Sequence, residues 1–250
     1  MKSRLDKLMV ERCLVATRER AQALILAGRV LVNEQKMEKP GAAVALDAAI
    51  RLLGDDLRYV GRGGLKLEKA LENWRVDLAG KTCLDVGAST GGFTDCMLQH
   101  GAAKVIAIDT GYGQIDMRLR QDVRVELLEK TNARYLSPDR LSARIGFFAM
   151  DVSFISATLV LPTVVASIRA KDEAATKNFE GVVLVKPQFE AGREAVGKGG
   201  IVRDEMAQNL AIDRVSKAVS QLGGTNVEVI ESPILGTEGN REFLLHSRFG

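Results

Sequence analysis

Four charged residues end or follow short apolar runs: Asp85 in Cys83–Val86, Asp109 after Lys104–Ile108, Asp151 after Gly146–Met150, and Lys186 after Gly181–Val185. Apolar runs of this length read as buried parallel strands. Open α/β sheets bind ligands beyond the carboxyl ends of their strands, so the four tips should converge on one crevice. The turn after Asp85 narrows the ligand. A phosphate loop needs Lys after its last Gly, and Phe93 follows Gly92. A dinucleotide fingerprint needs Gly where Ser89 stands. What remains is an acid two places before Gly87, then G-x-x-x-G-G to Gly92, opening a helix. Asp85 is placed to pair with an ammonium group, and Asp109 is spaced from Gly87 like the acid that takes ribose hydroxyls. Ammonium, sulfonium and ribose together describe S-adenosylmethionine. The alternative is a glycine-rich turn without a cofactor.

The elements that must hold these residues alternate along the chain. Strands are predicted at 83–86, 104–108, 123–128, 146–150, 181–185, 227–230 and 242–246, the last antiparallel and beside its predecessor. Helices are predicted over 64–74, from Gly91-Gly92 onward, over 155–168 and over 206–222. Alternation with short connections implies an α/β, Rossmann-like fold: a mostly parallel seven-stranded sheet with helices on both faces. The 64–74 helix puts Lys66 in its first turn, where the helix dipole disfavours a cation. Such a lysine is either tolerated in solvent or held to face an anionic or nucleophilic group. The segment from Lys186 to Arg203 is long for a connection and reads as a mobile basic loop touching RNA, or as an unconstrained surface loop.

Before this lies a different module. Leu5, Leu8, Met9 and Val10 mark one amphipathic helix, and Thr17 caps a second, Arg18 to Ala27, stopped by Gly28. A strand at Val30–Val32, a turn at Asn33–Gln35 and short strands near Val44 and Ile50–Leu53 follow. Glycines between Asp55 and Leu67 suggest a hinge, giving domains 1–60 and 61–250. Residues 1–60 hold 11 Lys+Arg and 8 Asp+Glu, an excess equal to the +3 of all 250 residues. Cys13, Cys83 and Cys96 have no metal-like spacing, so no metal site is expected, and the odd count suits a reducing cytosol. No signal segment and no membrane-spanning run are evident.

Two resemblances sharpen this reading. Arg4-Leu5-Asp6, Arg18-Glu19-Arg20-Ala21 and Ala27 to Asn33 resemble the RNA-binding module of ribosomal protein S-four. Arg4, Lys7, Arg18, Arg20 and Arg29 fall on matching positions, and Arg62 joins this RNA-contacting set. The guanidinium fork suits phosphates and stacked bases. Nearly the whole chain resembles the TlyA family, ribosomal RNA 2′-O-methyltransferases often labelled hemolysins, whose catalytic domain is FtsJ-like. The motifs are Gly61–Leu67, Leu84–Thr94, Asp109–Gln114, Asp151–Ser156, Leu184–Glu190 and Gly239–Phe243, in family order. The resemblance implies a catalytic set of Lys66, Asp151, Lys186 and Glu242. It also implies S-adenosylmethionine held by Asp85, Gly87, Ser89, Thr90, Gly91, Gly92, Phe93, Thr94, Asp109, Asn132 and Asp151. The implied partner is ribosomal RNA, modified at a cytidine in one or both ribosomal subunits. The expected setting is the cytoplasm, without membrane or metal, as a monomer or weak homodimer.

The chemistry fits that set. A sulfonium supplies a reactive methyl group, so the enzyme must align the 2′-oxygen and manage its proton. A lysine serves as base near neutral pH only with a depressed pKa; Lys66 and Lys186 brought together would depress each other, with Asp151 and Glu242 orienting them. Either lysine can take the proton, or both only position the hydroxyl while water accepts it. Three rival readings are a membrane-active hemolysin, a non-catalytic RNA-binding protein and a dinucleotide oxidoreductase. They are disfavoured by the missing spanning segment, the complete catalytic set and Ser89, respectively.

Overall fold

Residues 2–12, 14–15, 17–53, 58–171, 178–236 and 238–250 are described in the structure, a computed structural model. Cys13 and residues 54–57 of the expected hinge lie outside the described residues. The chain divides into two compact units, Met1–Arg58 and Tyr59–Gly250.

In the first unit, β1 (Lys2–Arg4) leads into α1 (Leu5–Glu11), followed by α2 (Arg18–Leu26). Thr17 starts α2 because its side-chain oxygen accepts the Arg20 N–H at 3.2 Å, satisfying a donor the helix leaves orphaned. Next come β2 (Val30–Val32), β3 (Gln35–Met37), β4 (Ala43–Ala45) and β5 (Ile50–Leu52). Asn33 and Glu34 turn β2 into β3 with φ of 50° and 60°, the successive left-handed pair that a tight hairpin favours. β5 pairs with the other side of β2, and β1 pairs with β4. β1 and β3 escape sequence reading because each is three residues long and gains its identity from pairing. Leu5, Met9, Ala21, Ile25 and Val30 form the centre of a small core.

Asp6 is buried beside that core. Arg4 donates to both its oxygens from Nε and Nη2 at 3.0 and 2.9 Å, Arg18 Nε donates at 3.0 Å and Gln22 Nε2 at 2.9 Å. These donors, Arg4 foremost, hold the Asp6 carboxyl well below the usual carboxylate range.

The second unit contains α3 (Gly63–Trp74), β6 (Thr82–Val86), α4 (Gly92–Gln99), β7 (Lys104–Ile108), α5 (Met117–Gln121) and β8 (Val125–Leu128). It continues with β9 (Phe147–Met150), α6 (Leu161–Lys171), β10 (Phe179–Val185), α7 (Pro187–Glu190), α8 (Glu205–Gln221), β11 (Gly224–Glu231) and β12 (Phe243–Phe249). The strands form one sheet in the order β11-β12-β10-β9-β6-β7-β8. β12 runs antiparallel to β10 and β11 and lies between them, while β10, β9, β6, β7 and β8 are parallel neighbours. Successive side chains of a strand point to opposite faces, which explains the unbroken apolar runs. Leu84, Val86, Phe148 and Val183 pack with α6 and α8, whereas Cys83, Phe147, Val182 and Leu184 pack with α3 and α4.

Two expected elements differ. Residues 155–168 are not one helix: a 3₁₀ turn at Ala157–Leu159 precedes α6, whose second residue is Pro162. Proline is tolerated only in a helix's first turn, so α6 starts there, and Ser156 caps the shorter turn by accepting from the Thr158 N–H. The 186–203 segment is also more ordered than a free loop. It carries α7 and a 3₁₀ turn at Arg193–Ala195, and its end is tied down by Asn240, which accepts from Val202 N and donates to the Gly200 carbonyl, both at 2.9 Å.

Candidate active site

At the carboxyl ends of the parallel strands lie three adjoining cavities, of about 250, 470 and 420 Å³. Gly87 permits this arrangement. It follows β6 at φ +91°, and a Cβ there would lie 2.3 Å from the Asp151 carbonyl oxygen at the tip of β9. Only glycine allows the two tips to approach so closely.

The smallest cavity is lined by Lys66, Asp151, Lys186 and Glu242, with Arg62, Ser89, Thr90, Gly92 and Phe93. Four elements deliver the charged set: the first turn of α3, the residues after β9 and β10, and the residue before β12. Lys66 Nζ contacts Glu242 Oε2 at 2.5 Å, and Lys186 Nζ contacts Asp151 Oδ1 at 2.5 Å. Both lysines and Glu242 are buried. The cation that the α3 dipole disfavours is therefore held by a carboxylate 176 residues away in the chain. Each lysine has its own acid, so the cavity that holds both lysines holds two ion pairs.

The largest cavity is lined by Gly87, Ser89, Asp109, Asn132 and Asp151, among others. Asp109 accepts the backbone N–H of Ser89 at 2.8 Å and of Gly111 at 2.6 Å, one on each oxygen. The amides fix the carboxylate and leave lone pairs for hydroxyl donors. Asn132 caps the turn at Ala133–Tyr135 by accepting the Arg134 N–H.

Asp85, Gly91 and Thr94 of the expected cofactor set line none of these three cavities. Asp85 is fully buried beneath the turn, where Thr94 Oγ1 donates to its Oδ2 at 2.6 Å and its Oδ1 has no partner. Burial, opposed by the Thr94 hydrogen bond, pushes the Asp85 carboxyl up to about 7. The spacing suggests direct contact with an ammonium group; the structure places Asp85 beneath the turn and off these cavity walls. Gly91 instead begins α4 at φ +96°.

Two residues lie within the family motifs but receive no role from sequence. Ser153 lines all three cavities, and its Oγ accepts from Lys186 Nζ at 2.7 Å. Glu190, on α7, accepts from Ser156 Oγ at 2.5 Å and from Ala157 N at 2.6 Å, joining the segment after Lys186 to the segment after Asp151. Spacing along the chain assigns neither the serine nor the glutamate a partner until the two segments meet. Of the expected RNA contacts, Arg4 and Arg18 bind Asp6 and stay half-exposed, Lys7 faces Glu11 at 3.5 Å, Arg20 and Arg29 lie on or after α2, and Arg62 lines the smallest cavity.

Residues 59–249 match the family model of the FtsJ-like methyltransferases, and residues 3–50 match that of the S4 domain. The larger unit is thus a methyltransferase of the FtsJ-like class, with the seven-stranded sheet of that class. The 16S/23S rRNA (cytidine-2′-O)-methyltransferase TlyA of Mycobacterium tuberculosis is 42% identical over 99% of this chain and 90% of its own length. Hemolysin A of Brachyspira hyodysenteriae is 38% identical over 97% of this chain and 98% of its own length. A solved Streptococcus thermophilus structure carrying a hemolysin label superimposes with a TM-score of 0.76 at 41% identity, over 99% of this chain and 88% of that one. The chain belongs to the TlyA family. Among the described residues no helix is long and apolar enough to cross a membrane.

Proposed function

We propose that this protein methylates the 2′-hydroxyl of a cytidine in ribosomal RNA, with S-adenosylmethionine as donor. The observation that carries the reading is the pair of lysine–carboxylate contacts in one cavity, beside a second cavity holding Asp109. The second cavity suits the cofactor: Asp109 offers a fixed carboxylate for ribose hydroxyls, Asn132 an amide, and Gly87 to Gly92 a close backbone approach. Asp85, whose Oδ2 accepts from Thr94 Oγ1, ties β6 to the first turn of α4 beneath that backbone. Bound there, S-adenosylmethionine supplies an electrophilic methyl group on a sulfonium.

The protein's own residues do the rest. Lys66, held by Glu242, positions the ribose. Lys186, oriented beside Asp151, receives the 2′-hydroxyl proton as the oxygen–methyl bond forms and the sulfur–methyl bond breaks. Asp151 stabilises the ammonium so formed. Residues 1–60 supply affinity for folded RNA through Arg4, Lys7, Arg18, Arg20 and Arg29, and residues 61–250, including Arg62, supply the chemistry. The exposed Lys198 in the 186–203 segment adds a backbone contact.

Mapping ribose methyl groups on ribosomal RNA from cells lacking the protein tests the reading. One or more cytidine 2′-O-methyl groups should vanish and return with the parent gene but not with Lys186→Ala; an unchanged map would overturn it. The cofactor assignment is tested separately by calorimetry. Asp109→Ala should weaken S-adenosylmethionine binding by about 1–3 kcal/mol, the scale of hydrogen bonds to a charged group.

A further inference from the structure

We infer that Ser153 is a positioning residue for the reaction, its hydroxyl aiming the Lys186 amine into the cavity shared with Lys66 and Glu242. This rests on the proposed 2′-O-methylation and assigns the direction of its proton acceptor. The two neighbours of the amine differ in kind. Asp151 Oδ1 is close, at 2.5 Å, but the contact lacks hydrogen-bond alignment. Ser153 Oγ, at 2.7 Å, makes the aligned hydrogen bond. Asp151 therefore supplies charge and Ser153 supplies direction.

Nitrogen is tetrahedral. With one N–H fixed on Ser153 and another flank against Asp151, one position remains, and in the neutral amine it is the lone pair, turned to the cavity. Lysine's four-carbon stem has no preference of its own for such an orientation. A hydroxyl that accepts also keeps one O–H to donate. Ser153 has that proton free at the junction of all three cavities, where a ribose and the cofactor would meet.

Ser153 is itself held in place. It lies between Asp151 at the tip of β9 and the turn that Glu190 fixes through Ser156 and Ala157. Glu190 stands four residues beyond Lys186, so one buried carboxylate locks the two segments that carry the hydrogen bond. Phe154, next to Ser153, adopts φ +64°, a conformation costly for a bulky side chain, and its exposed ring meets Phe189 of α7 at 5.5 Å between centroids.

The test compares parent, Ser153→Ala and Ser153→Thr. Single-turnover methylation of ribosomal RNA is followed from neutral to alkaline pH, S-adenosylmethionine affinity is measured by calorimetry, and Lys186 is labelled with acetic anhydride in the unloaded protein and read by mass spectrometry. Ser153→Ala should lose about tenfold or more in rate, the scale of one hydrogen bond to a charged group, with cofactor affinity unchanged. Its acid limb and its labelling midpoint should both move to lower pH, because the ammonium loses an acceptor that favours it. Ser153→Thr, which keeps the hydroxyl, should restore both. Parental rate in Ser153→Ala, or a lost rate with unmoved pH limb and labelling, would overturn the inference, as would loss of cofactor affinity in both variants. If the parent itself fails to methylate ribosomal RNA, the proposed function fails. The labelling arm still judges the Ser153–Lys186 contact.

Discussion

Asp6 in the smaller unit and Asp85 in the larger have the same side chain and no exposed surface, yet their carboxyls move in opposite directions. Asp6 is covered by its own partners near solvent: two arginines and a glutamine donate to it, and both arginines remain about half exposed. Asp85 lies deep in β6, inside the sheet, with a hydroxyl donor on one oxygen and the other bare. Lack of exposed surface alone therefore does not set a carboxylate's charge: depth in the sheet beside other carboxylates raises Asp85, and cationic donors lower Asp6. The smaller unit uses a buried anion to hold cations outward. The larger unit turns its charges inward, around cavities.

That contrast can be broken at several points. The largest effect belongs to the inward side. Lys186→Ala should lose about 100- to 10,000-fold in single-turnover rate, the range of a positioned base, with cofactor affinity within a few-fold of the parent by calorimetry. Lys186→Arg keeps the charge but cannot deprotonate, so it should stay as slow as alanine. Recovery in the arginine variant would make Lys186 an electrostatic group only, and the proton would pass elsewhere.

Asp85 gives the next effect, in stability. Its folded carboxyl titrates at about 7 against 3.8 in the unfolded chain, so the folded state binds its proton more tightly. Cofactor-free protein should therefore lose stability as pH rises from roughly 4 to 7, by up to about 4 kcal/mol at 1.36 kcal/mol per pKa unit. Asp85→Asn should flatten that dependence in denaturant titrations. An unchanged slope would show that the bare oxygen finds a donor in solution.

Asp6 should behave in the opposite sense. Its carboxyl is depressed, so its contribution is present above pH 3.8 and disappears as pH falls below it. At neutral pH, Asp6→Asn should cost about 1–3 kcal/mol, the scale of donors left unpaired, discounted toward the lower end because both arginines reach solvent. It should also loosen Arg4 and Arg18 and weaken RNA binding, checked by filter binding at fixed salt. The smallest change is in a slope: Arg18→Ala with Arg20→Ala should reduce the salt dependence of RNA binding by about 1 for each phosphate no longer neutralised. A slope equal to the parent's would remove both arginines from the interface.

Sequence reading succeeded where one residue's chemistry is read through local pattern. The seven strands of the large sheet, the Thr17 cap and the Gly28 stop follow from apolar runs and capping chemistry, which act within a few residues. Asp109 and Asp151 are legible for the same reason, because a charge just past an apolar strand has few places to go in a parallel sheet. The antiparallel last strand was legible beside its predecessor, but its insertion between β10 and β11 was not, since pairing partners far apart in sequence leave no mark on either strand. Asp85 shows the limit most clearly. Spacing puts it at a strand tip, and only the packing of the turn over it decides that it is buried under the site rather than facing it. Each lysine's choice of carboxylate, the hydrogen bond from Lys186 to Ser153 and the Glu190 tie are likewise tertiary. They join segments brought together by the order of strands across the sheet, and a hydrogen bond depends on tenths of an ångström that no spacing along the chain encodes.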